Sequence, residues 1–256
     1  MKPATEHPTV TAAVTAARAA GEIALRYYRS GFEVTIKPDQ TPVTQADREA
    51  EQAIRHILGR AFPNDGFLGE ELGQEGDSAR RWIIDPIDGT MNFVRHIPLW
   101  AVLIALEEHG EITTGVVLNP VTGDLYTARK GEGAFANGER IRVSGGRPMK
   151  DAMLLHSGLN LLRPTPYWDG LVRMVDAVER TRGFGDYYGY CLVAQGRAEI
   201  YAEMDLKRWD WAPMKVLVEE AGGRLTDFAG RPDSADGTVI ATNGELHDEA
   251  LRLLAG

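Results

Sequence analysis

The chain has 256 residues, 43% hydrophobic and 25% charged, an ordinary globular balance with enough apolar material for one large α/β unit or two fused halves. Its formal net charge of −9 excludes a general affinity for nucleic-acid backbone or anionic membrane, because both need a basic surface. The single cysteine, Cys191, excludes an internal disulfide and a cysteine metal cluster; with no apolar run of signal-peptide or membrane-span length, the expectation is a cytoplasmic protein.

From Pro8 to Ser30 an alanine-rich stretch sets Val10, Val14, Ala17, Ile23 or Ala24 and Tyr27 or Tyr28 at helical spacing, and Gly31 supplies a stop. Phe32 to Pro42 mixes strand-like alternation with Pro38, Asp39 and Pro42, which predicts a short strand or an exposed loop. A second helix is predicted from Thr44 to Ala61, with Thr44 and Asp47 at capping-box spacing and Pro63 as its end. Between Gly66 and Leu125 the pattern changes to short apolar runs: Phe67 to Leu68, Trp82 to Ile84, Trp100 to Leu106 and Ile112 to Leu118. Gly110, Gly123 and Asn137-Gly138 mark hairpin turns of an antiparallel sheet.

Beyond residue 145 strands and helices alternate. Strands are predicted at Ala152 to His156, Ala198 to Ala202 and Val239 to Thr242. Helices fall within Trp168 to Arg182, up to Leu192 to Gln195, and at Trp211 to Ala221 and Leu246 to Leu254. The expected organisation is an N-terminal α+β half, residues 1–145, and a C-terminal α/β half, residues 146–256, packed tightly because no flexible linker separates them.

The chemistry concentrates in acids that follow apolar runs. In Trp82-Ile83-Ile84-Asp85-Pro86-Ile87-Asp88-Gly89-Thr90 a buried strand delivers Asp85 and Asp88 onto a turn where Pro86 fixes φ and Gly89 frees it. Turn chemistry equally allows Asp88 to cap a short helix starting near Gly89. Gly69-Glu70-Glu71 follows Phe67 to Leu68, and since neighbours on an extended chain face opposite ways, only Glu70 is assigned to the place Asp85 occupies. A solvated acidic turn is the alternative. Asp210, in Trp209-Asp210-Trp211-Ala212-Pro213, precedes a helix with proline in its first turn, and Asp47 opens the second helix, so capping accounts for each taken singly. Gathered together, such acids suit a hard divalent cation, and the cation would reverse the local field for an anionic phosphate.

These pieces, with Pro42-Val43-Thr44-Gln45-Ala46-Asp47 before them, Asn92-Phe93 between, and Glu220-Ala221-Gly222-Gly223 after, stand in an order that resembles the inositol monophosphatase superfamily of Mg²⁺-dependent, lithium-sensitive phosphatases. The resemblance covers nearly the whole chain and implies a layered αβαβα sandwich of the sugar-phosphatase type, acting on a small phosphorylated substrate, usually as a homodimer. It implies one magnesium on Glu70, Asp85 and the carbonyl of Ile87, a second on Asp85, Asp88 and Asp210, and a third, weaker ion on Glu70 and waters. Thr90, oriented by Asp47, would help activate the attacking water; the amides of Gly89 and Thr90 would receive the phosphate, and no covalent phosphoenzyme forms.

The stretch from Arg182 to Gly196, with Asp186, Tyr187 and Tyr188 after its glycine pair, is similar to the branch acting on histidinol phosphate, as is Val94 to Trp100. Asp186, with Glu203, would pair with the cationic substrate; the plainer reading is that Asp186 caps the helix running to Gln195 and the tyrosines pack. An inositol or other sugar phosphate is the rival substrate. A catalytically silent phosphate-binding module is disfavoured, since an acid fills every side-chain metal position. Lys37 lies in the loop that closes over the site in relatives, although a solvated lysine explains it equally. The six histidines show no metal-ligand spacing, and Cys191 is read as buried and inert.

Overall fold

The computed structural model describes residues 6–31, 34–36 and 42–255; Lys37 and the side chain of Thr44 lie outside the described residues. Helix α1 (Pro8–Ser30) is followed by an antiparallel pair, β1 (Val34–Ile36) and β2 (Pro42–Thr44), and by α2 (Gln45–Ala61). The described residues then build an eight-stranded sheet from β3 (Gly66–Gly69), β4 (Gly73–Glu75), β5 (Arg80–Asp88), β6 (Ala101–Glu108), β7 (Glu111–Leu118), β8 (Leu125–Arg129), β9 (Gly133–Ala136) and β10 (Glu139–Ile141). Its order is β10-β9-β8-β7-β6-β5-β3-β4, antiparallel except where β3 pairs with β5, and the short helix α3 (Thr90–Val94) links β5 to β6. A five-stranded sheet of order β12-β11-β13-β15-β14 comes from β11 (Met153–His156), β12 (Arg180–Arg182), β13 (Ile200–Met204), β14 (Arg224–Thr226) and β15 (Thr238–Thr242). Between and after these strands run α4 (Leu159–Leu162), α5 (Trp168–Ala177), α6 (Asp186–Ala194), α7 (Arg208–Glu220) and α8 (His247–Ala255).

Strand alternation sorts these elements into layers. Trp82 and Ile84 of β5, with Val102, Ile104 and Leu106 of β6, pack against the alanine face of α1 and against Ile54 and Leu58 of α2. Ile83 of β5 and Leu103 and Ala105 of β6 point the other way, into a cluster with Tyr190 of α6 and Trp211 and Leu217 of α7. That cluster continues into Tyr201 of β13 and Val239 and Ala241 of β15, whereas Ile200, Ala202 and Ile240 face outward to α5 and α8. Helices, sheet, helices, sheet, helices is therefore the observed stacking, the αβαβα sandwich that the resemblance implied. Each large apolar side chain taken from water contributes about 1.5–3 kcal/mol, so the period-2 pattern is strongly selected.

Helix α1 spans the stretch read from the sequence, with Pro8 at its first position and His7 accepting from the Thr9 amide at 3.3 Å. Its buried face carries Val10 and then small residues, Ala13, Ala16, Ala17, Ala20 and Ala24, while the larger Val14 and Ile23 are only half-buried. Three strands escaped the sequence: β4 reads Gly-Gln-Glu and β12 reads Arg-Thr-Arg, edge strands without a large apolar residue, and β14 is three residues long.

His247 opens α8 fully buried, with Nε2 2.9 Å from the Thr226 hydroxyl and Nδ1 3.0 Å from that of Thr242. Burial pushes its imidazole down from 6.5 to about 4, helped by the charge of Arg224. The unfolded chain therefore binds a proton that the folded chain refuses between those values, so stability falls as pH drops from 6.5 through about 4. A His247→Gln variant, which keeps polar atoms for both threonines, is expected to lose less stability over that interval. Denaturant midpoints measured across it check this; parallel curves would reject the assignment.

Candidate active site

Asp85 and Asp88 are three residues apart, and on a regular strand they would face opposite sides of the sheet. The β5 strand does not end before them, as the sequence reading held, but runs on through Asp88. Opposite Leu103 and Ala101 of β6, which are two residues apart, the pair spans three, so one extra residue is accommodated at Pro86-Ile87 as a bulge. The bulge turns both carboxylates to the same side. Asp85 Oδ1 accepts the Ile87 amide at 2.9 Å, and the Thr90 hydroxyl donates to the Ile87 carbonyl at 3.0 Å, fixing the turn. Gly89, at φ 79°, starts α3 in the left-handed region without a side-chain cap, so Asp88 is not the helix cap.

Asp88 Oδ2 instead accepts the Tyr187 amide at 2.8 Å, a bond from the first turn of α6. Asp210 stands third in α7, not before it: Lys207 is the cap, and the Lys207 amide donates to Asp210 Oδ2 at 2.6 Å. One carboxylate oxygen from each of Asp85, Asp88 and Asp210 lies within 4.8 Å of the other two. Glu70, after β3, lines the same pocket of about 320 Å³ together with Ile87, Gly89, Thr90, Asp186 and Glu203, whereas Glu71 does not. Asp47 is buried at the first turn of α2, close enough for its charge to act on Asp85.

Asp186 is the first residue of α6 and has φ 56°, unusual for a side chain other than glycine. Its carboxylate does not cap the helix. Oδ2 accepts from Asn92 Nδ2 at 2.9 Å, and Asn92 also donates to the Leu99 carbonyl at 2.8 Å, so the amide ties Asp186 to the α3 segment. Glu203 of β13 is buried and accepts the Asp186 amide at 3.1 Å. Its Oε2 and the hydroxyls of Tyr190 and Tyr201 form no hydrogen bond of ordinary geometry, although the two hydroxyls stand near enough to favour its ionised form. Asn92, Tyr190, Tyr201 and the pocket-lining Ser157 and Leu161 had no assigned site role from the sequence. Of these, Asn92 and Tyr190 lay inside matched stretches, Tyr190 there read as a packing residue.

The electrostatics are one-sided. Burial pushes Asp85 well above the ordinary carboxylate range, and Glu70, Asp88, Asp210 and Asp47 add to it. Asp88 is raised by burial, then by Asp186 and Asp210, against the opposing Tyr187 amide. Burial likewise lifts Asp210 to about 7, Asp186 to about 6 and Glu203 to about 8. Among the described residues, no lysine, arginine or histidine comes within ion-pair distance of Asp85, Asp88, Asp186, Glu203 or Asp210. Buried like charges without a counter-charge are costly, and an oxygen-only donor set is what a hard divalent cation takes. These residues fit such an ion. A cleft of equal volume between Ile112, Lys215 and Glu219 lies apart from them, its lysines already paired with Glu111 and Glu219.

The sequence profile of the inositol monophosphatase family matches residues 6–255. The chain belongs to the inositol monophosphatase family. A histidinol-phosphatase of Mycobacterium tuberculosis is 42% identical over 258 residues, 98% of this chain and 99% of that one. An inositol-1-monophosphatase of Rhizobium meliloti is 40% identical over 227 residues, 86% of this chain and 85% of that one. The crystal structure of the extragenic suppressor protein SuhB from Bartonella henselae superimposes with a TM-score of 0.91 at 37% identity, covering 97% of this chain and 98% of its own. As a member of this family the chain is a phosphatase, a phosphoric monoester hydrolase. No helix among the described residues is long and apolar enough to cross a membrane.

Proposed function

We propose that this inositol monophosphatase family phosphatase is magnesium-dependent and that its preferred substrate is histidinol phosphate. One observation carries the substrate: a carboxylate, Asp186, is held by Asn92 in the pocket wall and, among the described residues, has no basic partner within ion-pair distance. Histidinol phosphate brings a protonated amine and an imidazole close to its phosphate, and charge-assisted hydrogen bonds are about twice as strong as neutral ones. A neutral polyol gives Asp186 no such partner. Glu203, buried beside it, extends the acidic wall. The histidinol-phosphatase at 42% identity supports this reading; the inositol-1-monophosphatase at 40% supports the rival one.

Glu70, Asp85 and the Ile87 carbonyl would hold one magnesium, Asp85, Asp88 and Asp210 a second, and Glu70 with waters a third. When bound, magnesium supplies Lewis-acid chemistry, offsetting charge on the phosphoryl group and acidifying water near neutral pH. The chain's own groups then orient the reactants. Thr90 and Asp47 take the attacking water, and the Gly89 and Thr90 amides, beside the pocket, take phosphate oxygens.

The test is phosphate release from histidinol phosphate and from inositol 1-phosphate, each with magnesium and with chelator. Expected is a preference for histidinol phosphate of about tenfold or more, the scale of one well-placed polar contact, with chelator stopping both reactions. Equal or faster release from inositol 1-phosphate ends the histidinol assignment. Unchanged rates under chelation end the magnesium assignment.

A further inference from the structure

Glu51 lies in the middle of α2, one turn beyond Asp47 and one turn before Arg55, so the three share a helix face. It is fully buried, where an unpartnered carboxylate would be very costly. Every oxygen is engaged. Oε1 accepts from Arg55 Nε at 2.9 Å and stands 2.7 Å from Nη2; Oε2 accepts the backbone amides of Glu71 at 2.8 Å and Leu72 at 3.3 Å. Arg55 continues to the Gly73 carbonyl at 2.5 Å and to Glu75 at 3.0 Å, so the pair joins α2 to the β3–β4 hairpin.

This arrangement requires glycine at 69, where a Cβ would stand 1.9 Å from Glu51 Oε1. On the other flank the Glu70 amide donates to the Ile84 carbonyl at 3.1 Å. The peptide before Glu70 is thus anchored by β5 and the peptide after it by Glu51. Together they fix φ and ψ of Glu70, and hence the direction in which its side chain leaves the backbone. Arg55 meanwhile neutralises Glu51, so the anchor adds no uncompensated charge beside the acid cluster.

We propose that Glu51, held by Arg55, is a positioning residue for Glu70: it pins the peptide following Glu70 and so sets the reach of that carboxylate toward a bound cation. The inference rests on the reading of Glu70 as an ion ligand. Metal-free full-length protein is titrated with magnesium chloride alone, with thermal denaturation and calorimetry as readouts; kcat and KM are then measured at saturating magnesium. Glu51→Ala is expected to raise the half-saturating magnesium concentration by roughly 10–100-fold, the usual cost of losing an outer support, while KM holds. Glu51→Gln, whose amide oxygen can still accept the Glu71 amide, recovers part of that loss. Leu254→Ala, a cavity in the outer core, lowers the melting temperature without moving the magnesium titration.

A Glu51→Ala variant that is merely less stable, with half-saturation shifted by less than about twofold, overturns the proposal. If Glu51→Ala does not fold, Glu51→Leu, which fills the space but cannot accept the Glu71 amide, decides by the same threshold. Glu70→Gln separates the two levels. Should it leave the magnesium titration unchanged, the ligand reading fails and takes the inference with it; should it shift the titration while no Glu51 variant does, only the positioning role fails.

Discussion

An Asp88→Asn variant is expected to lose at least about a thousandfold in magnesium-dependent phosphate release, the rate equivalent of several kcal/mol of charge stabilisation, and to remain folded. The fold survives because asparagine keeps an oxygen able to accept the Tyr187 amide, the bond Asp88 makes at 2.8 Å. Without cation the variant should match or exceed the parent in melting temperature, since it removes one of the mutually repelling buried charges around Asp186 and Asp210. Saturating magnesium reverses the order. At a concentration 100 times its dissociation constant, an ion stabilises the parent by about 2.7 kcal/mol, roughly 5–10 °C for a chain of this size. The variant should gain much less. Phosphate release and thermal denaturation, each with and without magnesium, check both halves; undiminished turnover would sink the role given to Asp88.

How far this site could be read from the sequence depends on whether local or distant contacts place each residue. Alternation told only that one of Glu70 and Glu71 faces the site; the strand ends at Gly69, both glutamates lie in the turn after it, and the pocket is lined by Glu70. That Asp85 and Asp88 share a face follows from the β5 bulge, which Pro86 and Gly89 foreshadow but which only the β6 register reveals. For Asp210 the capping and site readings were posed as rivals, yet the carboxylate accepts the Lys207 amide and also stands in the cluster. Its position was misjudged because Pro213 suggests a first turn that in fact begins at Arg208.

Glu51 was invisible for a physical reason. A glutamate among Arg48, Glu49, Gln52 and Arg55 reads as the solvated side of an amphipathic helix, and only the missing Cβ of Gly69, eighteen positions on, opens room for it inside. The layer order came from the family resemblance, and the packing shows its physical reason. Alternation along β5, β6, β13 and β15 gives each strand two apolar faces, which requires helices or sheet on both sides.

The second large effect concerns selectivity. Asp186→Asn is expected to lower kcat/KM for histidinol phosphate by about 10–100-fold, the worth of a hydrogen bond to a charged group, while inositol 1-phosphate is turned over unchanged or faster. Asparagine is the informative replacement because it tolerates the left-handed φ of 56° and can still accept from Asn92, whereas alanine would mix backbone strain with loss of charge. A gain on the neutral substrate follows from the same charge: the Asp186 carboxylate lies beside Gly89, with Oδ2 3.3 Å from where a Cβ would stand, and it repels a phosphate held there. Magnesium half-saturation should move far less than in Asp88→Asn, since Asp186 is outside the Asp85, Asp88 and Asp210 cluster and reaches it only through the effect of its charge on Asp88 and Asp210. An equal fall on both substrates would show that Asp186 acts through Asp88 and α6, and the cation-pairing role would go; no change on either would remove Asp186 from substrate recognition.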